Sequence, residues 1–254
     1  VLREDQDVHH HLPLAGRRIL LPQRADRRLA EALRHAGAEV DEVALITRTP
    51  VPGQALHELA ADLVAGRYQW LAITSAFTVE AMARLSYPLY RIVTPTLGVA
   101  AVGRSTAAAV RAACGRVDLQ PADGIGGHAL AAAWPPGPGR VALPGAVASA
   151  EALPTLLRER GWEVERVGVY RTSPVSALPA DVIARWRSGR YAAVVVTAGS
   201  VAQAVATLLG TGVPAVAIGT PSATAASRAG FHRVTISPTL APADLVAALA
   251  VAVG

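Results

Sequence analysis

Residues 14–134 and 139–250 carry the same short motifs in the same order, so the chain must fold as one unit used twice, each copy about 120 residues. Gly16-Arg17-Arg18-Ile19-Leu20-Leu21-Pro22 returns loosely as Gly139-Arg140-Val141-Ala142-Leu143-Pro144. Gly37-Ala38-Glu39-Val40-Asp41-Glu42-Val43 returns as Gly161-Trp162-Glu163-Val164-Glu165-Arg166-Val167. Gly66-Arg67-Tyr68 and an apolar run to Thr74 match Gly189-Arg190-Tyr191 and a run to Thr197. Ala101-Val102-Gly103 with Thr106 matches Ala217-Ile218-Gly219 with Ser222. Two such lobes lead one to expect function in a cleft between them.

Within each copy the pattern alternates strand and helix. Ile19–Leu21 reads as a strand, Asp26–Ala36 as a helix stopped by Gly37, and Val40–Ile46 as the next strand. Thr47–Gly53 and Arg171–Pro174, rich in proline or hydroxyls, read as linkers. Trp70–Thr74, Val99–Val102 and Val117–Leu119 read as strands, and Leu56–Ala65, Thr78–Leu85, Ser105–Ala113 and His128–Trp134 as helices. Continuous rather than alternating apolar strands between helices predict parallel sheets covered on both faces. The expected fold class is therefore α/β, with two similar flavodoxin-like parallel-sheet domains. From the residues alone, two sequential lobes (14–135 and 139–254) and an interleaved arrangement are both open.

All 24 basic residues are arginine, which excludes lysine Schiff bases, pyridoxal phosphate attachment and a Walker-type phosphate loop. A pI near 10.1 and net charge +5 favour an anionic partner. No basic run is interleaved with aromatics, so nucleic acid is not the expected partner. One cysteine, Cys114, forms no intrachain disulfide or cysteine-based zinc site. No apolar run reaches the roughly 20 residues that span a bilayer. Residues 1–13 read as a flexible arm without an apolar signal core, its His9-His10-His11 run an adventitious cluster, and the expected location is cytoplasmic.

Ligands of such folds bind outside the carboxyl ends of the strands. Candidate binding residues at those ends are Arg24, Thr74, Ser75, Gly103, Arg104, Thr106, Gly145, Thr197, Gly199, Ser200, Gly219, Thr220 and Ser222. Glycine admits a ligand close to backbone, and a helix N-terminus offers unpaired N–H groups to carboxylates or phosphates. The plainer alternative is that each Ser or Thr is an N-cap, contributing about 1 kcal/mol.

The set resembles the uroporphyrinogen-III synthase family over nearly all of residues 14–250. Ile73-Thr74-Ser75 followed by Val79-Glu80-Ala81 is similar to the family's first hydroxyl loop. Val102-Gly103 with Thr106-Ala107, and Ile218-Gly219 with Ser222-Ala223, resemble its paired glycine–threonine loops. Val169-Tyr170-Arg171-Thr172 resembles its Val-Tyr-x-Thr element at the domain crossing. The resemblance implies interleaved domains, 14–49 with 172–254 and 50–171, joined by a two-stranded hinge. It implies cyclisation of the linear tetrapyrrole hydroxymethylbilane to uroporphyrinogen III, with ring D inverted through a spirocyclic intermediate, in haem biosynthesis. No metal or organic cofactor takes part in that chemistry, and a monomer is expected.

By the same resemblance Tyr170 is the candidate catalytic residue, assisting departure of the terminal hydroxyl. The chain departs from the family pattern at Pro22-Gln23-Arg24, at Leu143-Pro144-Gly145, at Ala198-Gly199 and at Pro221. Those departures keep open an alternative, a non-catalytic relative that binds a tetrapyrrole or other polyanion and acts in regulation.

Overall fold

The computed structural model describes residues 12–23, 27–122, 126–239 and 241–254. Residues 1–11, with the histidine run, and the candidate Arg24 lie outside the described residues.

Strand β1 (Arg18–Pro22) leads to helix α1 (Arg27–His35), which buries Leu29, Ala30 and Leu33. Gly37, at φ +89, turns the chain back so that the Ala38 N–H reaches the Leu33 carbonyl at 3.0 Å. A Cβ there would also sit 3.0 Å from the Ala15 Cα, so the turn needs glycine twice over. Next come β2 (Glu39–Val43), β3 (Ile46–Pro50), α2 (Gln54–Val64), β4 (Trp70–Ile73), α3 (Ala76–Arg84) and α4 (Leu89–Ile92). They are followed by β5 (Gly98–Ala101), α5 (Arg104–Cys114), α6 (Gly127–Ala133), β6 (Gly139–Ala146), α7 (Ala152–Glu159) and β7 (Trp162–Pro174). The chain closes with α8 (Ala180–Arg187), β8 (Ala193–Val196), α9 (Gly199–Leu208), β9 (Ala215–Ala217), α10 (Thr220–Arg228), β10 (Val234–Ile236) and α11 (Pro242–Val253).

The chain divides into two compact units. One holds the described residues up to Thr47 together with Ser173–Gly254, and the other holds Arg48–Thr172. The first unit's sheet has the order β10-β9-β8-β1-β2, all parallel. The second has the order β3-β7-β6-β4-β5, with parallel pairing from β7 through β5. Read as β2-β1-β8-β9 and β7-β6-β4-β5, the two orders coincide. Each unit takes its β-α-β opening from one sequence copy and its remaining strands from the other.

The strands are apolar throughout because each sheet is covered on both faces. In the first unit Leu20, Val194 and Val196 pack on one face, while Ile19, Leu21, Ala193 and Val195 pack on the other. In the second, Leu71, Ile73, Val99 and Ala101 face one core and Ala72, Ala100, Val141 and Leu143 the other.

Three sequence expectations change. The single strand expected at Val40–Ile46 is two: β2 ends at Val43, and β3 leaves for the other sheet. The two expected linkers are partly strand, Ile46–Pro50 and the end of β7, sheet neighbours as the expected two-stranded pairing requires, while 51–53 carry no regular structure. Pairing satisfies backbone groups that proline-rich local sequence gives no hint of. Val117–Leu119 is not a strand; only Leu119 bridges to Ala100.

Candidate functional site

In the second unit the β4–β5 register ends at Ile73↔Ala101, and the Val102 N–H donates to the Ile73 carbonyl at 3.1 Å. The Thr74-Ser75 and Val102-Gly103 loops therefore leave the sheet side by side. The Ser75 Oγ accepts from the Phe77 N–H at 3.2 Å, so Ser75 is the N-cap of α3. Gly103 caps α5 in extended conformation, and a Cβ there would meet nothing within 4 Å. Exposed Arg104 begins α5, a poor place for a cation beside the positive helix end, and one that suits a shared anion. Thr106, in the first turn of α5, is only 4% exposed.

The first unit repeats this geometry. β8 and β9 end in register at Val196↔Ala217, and the Ile218 N–H donates to the Val196 carbonyl at 3.2 Å. The Thr197 and Gly219 loops thus leave together, with Ser200 and Thr220 exposed and Ser222 buried like Thr106. Gly199 has a packing role: a Cβ there would stand 3.1 Å from the Ala225 Cβ on α10. Helices α3, α5, α9 and α10 carry no acidic residue in their first turns, leaving four positive helix ends without a neutralising side chain there.

Gly145, expected in a loop, is a buried residue of β6, which runs on to Ala146. A Cβ at Gly145 would lie 3.9 Å from the Thr74 Oγ1, which places these two candidates together. Just beyond, the register with β7 shifts from Gly145↔Gly168 to Ala146↔Tyr170, and the Val147 N–H donates to the Tyr170 carbonyl at 2.8 Å. This bulge decides where Tyr170 points. Strict alternation would send Val167 and Val169 to one face and Tyr170 to the other, yet all three pack in the same core.

There the Tyr170 ring meets Phe77 edge-on, with centroids 5.0 Å apart and planes at 80°. Tyr170 is 6% exposed, and its hydroxyl makes no hydrogen bond among the described residues. Over Phe77 lies the Arg48 guanidinium, 5.7 Å from the ring centroid, a cation–π contact contributing about 0.5–2 kcal/mol. Phe77 and Arg48 were not among the sequence candidates. Phe77 occupies an expected loop and Arg48 an expected linker, and nothing local joins either to Tyr170.

The tyrosines with perturbed acidity lie elsewhere, near the amino ends of the strands. Burial, and then its hydrogen bond to Asp41, pushes the Tyr191 phenol up to about 12. Tyr68 is also raised, by burial and then by donation to Glu165. A cavity of about 350 Å³ in the first unit, lined by Arg17, Tyr191, Pro214 and Arg233 among others, opens at this same end. It lacks the glycine–hydroxyl loops and is not the candidate site. No helix among the described residues is long and apolar enough to cross a membrane.

No curated protein sequence is significantly similar to the chain. The family model described as Uroporphyrinogen-III synthase HemD matches residues 27–247, across both units. The chain belongs to the uroporphyrinogen-III synthase family. The solved structure of a mutant uroporphyrinogen III synthase from Thermus thermophilus has 19% identity and TM-score 0.56, covering 93% of this chain and 98% of that one. Uroporphyrinogen-III synthetase from Helicobacter pylori has 16% identity and TM-score 0.57, covering 91% and 97%. At these identities the structures speak for the fold. Membership of the uroporphyrinogen-III synthase family makes the chain a cyclising lyase of haem biosynthesis.

Proposed function

We propose that the chain closes hydroxymethylbilane to uroporphyrinogen III, inverting ring D through a spirocyclic intermediate and releasing water. The family match over residues 27–247 carries this reading. The seat of Tyr170 supports it, since a phenol without a hydrogen-bond partner among the described residues is available as a donor. In this reading Tyr170 gives a proton to the departing hydroxyl, which leaves as water, and a proton returns from the closing macrocycle.

The substrate is a flexible polycarboxylate, and its carboxylates meet N–H groups and hydroxyls of the strand-end loops. In the second unit these are Thr74, Ser75, Gly103, Arg104, Thr106 and Gly145. The first unit carries the matching candidates Thr197, Gly199, Ser200, Gly219, Thr220 and Ser222, with Arg24. Charge-assisted hydrogen bonds contribute roughly 1.5–3 kcal/mol each, so a few would hold the linear substrate in a folded form. Positioning does most of the remaining work. The protein acts as a monomer in the cytoplasm, where Cys114 stays reduced.

The test is the isomer assay on enzymatically generated hydroxymethylbilane. The expected product is mainly the type III isomer; type I alone, at the uncatalysed rate, would sink the proposal.

A further inference from the structure

Among the described residues, six arginines are half-buried: Arg18, Arg48, Arg116, Arg140, Arg166 and Arg185. Five of them pair with a carboxylate: Arg18 with Asp41, Arg116 with Asp118, Arg140 with Glu165, Arg166 with Glu151 and Arg185 with Asp41. Arg48 pairs with none of the described carboxylates. A partly covered cation is best met by an opposite charge, and this chain supplies one at the other five places.

The Phe77 face stabilises Arg48 only in part, because a ring quadrupole is a weak substitute for a carboxylate. It does hold the guanidinium in one place. Tyr170 packs edge-on against the same ring, centroids 5.0 Å apart. The N–H of Phe77 is tied to Ser75, so ring, N-cap and guanidinium are held as a group. The Val51 N–H donates to the Val169 carbonyl at 2.9 Å, fixing the chain just after β3 against β7 one residue before Tyr170.

We propose that the missing partner of Arg48 is a carboxylate of the substrate, and that Phe77 is the positioning residue that holds Arg48 and Tyr170 in fixed relation to each other. The proposal rests on the reading of Tyr170 and the second unit's loops as the place where substrate reacts. A planar guanidinium takes a carboxylate through two parallel N–H bonds, which fixes orientation as well as distance. The substrate would thus be anchored beside the hydroxyl that Tyr170 protonates.

The experiment compares steady-state kinetics of wild type, Arg48→Gln, Arg48→Lys, Phe77→Leu and Arg91→Gln. Arg91 stacks on exposed Tyr90 and serves as a control for net charge. Arg48→Gln should raise KM about 10- to 100-fold, the loss expected for one charge-assisted pair, with kcat changed less than about threefold. Arg48→Lys should recover part of that loss, since charge is kept and the fork is not. Phe77→Leu should raise KM and lower kcat together, and Arg91→Gln should match wild type.

Binding of a soluble polycarboxylate porphyrin, followed by tryptophan fluorescence, gives a readout independent of turnover. Wild type should bind it about tenfold or more tightly than Arg48→Gln. An Arg48→Gln variant with wild-type KM and wild-type porphyrin affinity overturns the inference while leaving the synthase reading intact. So does an equal loss in Arg91→Gln, which would reduce the effect to general charge. A wild-type protein that neither cyclises the substrate nor binds the porphyrin overturns both readings.

Discussion

The Tyr191 hydroxyl donates to the Asp41 carboxylate at 2.6 Å, joining residues 150 positions apart. Tyr68 donates to Glu165 at the equivalent place in the second unit. An arginine completes each group: Arg18 reaches Asp41 at 2.9 Å, and Arg140 reaches Glu165 at 2.9 Å. The pairings Arg18↔Glu39 and Arg140↔Glu163 in the two sheets make these arginines equivalent. The duplicated tyrosine–acid–arginine group ties each unit's β-α-β opening to the strand that comes from the other sequence copy.

Both tyrosines should make the fold sensitive to alkali. Their phenols are raised above the ordinary tyrosine value in the folded protein, Tyr191 to about 12. A group raised on folding contributes its full stability below its unfolded pKa and loses it as pH rises through the folded one. Urea midpoints should therefore fall with pH above about 10, continuing toward 12. A Tyr68→Phe/Tyr191→Phe double variant should be less stable at pH 7 and show a shallower alkaline decline.

Tyr170→Phe should separate chemistry from stability. Its hydroxyl has no hydrogen-bond partner among the described residues, so the unfolding free energy should change by less than about 1 kcal/mol. Loss of a positioned acid should lower kcat about 10²–10⁴-fold. Denaturant melts beside the isomer assay check both halves.

Two glycines near the bulge should respond in opposite ways. A Cβ at Gly168 would lie 2.8 Å from the Val147 Cγ2 and 3.2 Å from its Cα. Gly168→Ala should cost about 1–3 kcal/mol and lower kcat, because relieving the clash shifts the bulge that aims Tyr170. A Cβ at Gly145 makes only an ordinary contact with Thr74, so Gly145→Ala should cost less than about 1 kcal/mol. Its KM should rise if a ligand needs that backbone; an unchanged KM removes Gly145 from the proposed binding set.

Arg140 and Arg67 offer a further contrast. Arg140 stacks 4.5 Å from the Tyr68 ring centroid and bonds to Glu165, so Arg140→Gln should cost about 1–2 kcal/mol. The Arg67 side chain is 64% exposed and pairs only with Asp62 among the described residues, and Arg67→Gln should cost less than about 0.5 kcal/mol. Chemical denaturation of both variants tests the ranking.

Most helices and apolar strands were legible in the sequence because their signal is local. The spacing of Leu29 and Leu33 and the glycine after α1 need no distant partner to be read. Misread segments were those whose structure depends on a neighbour. Ile46–Pro50 looks like a linker until β7 pairs beside it, and Val117–Leu119 looks like a strand although only Leu119 is bridged. Among the site candidates, the sequence pointed to Thr74, Gly145 and Tyr170, but not to the bulge that aims Tyr170, nor to Phe77 and Arg48.

Read alone, the amino-acid sequence shows that an α/β unit is used twice and that its strands are covered on both faces, and its charge and strand-end loops motivate the expectation of an anionic ligand. Periodicity, glycine placement and charge all act between near neighbours along the chain, so they can be read without coordinates. Coordinates were needed to see which half-copies share a sheet, which face receives Tyr170, and which half-buried arginine lacks a described carboxylate partner. Those outcomes depend on register and on contacts between residues far apart in sequence, where a shift of one residue reverses the face to which a side chain belongs.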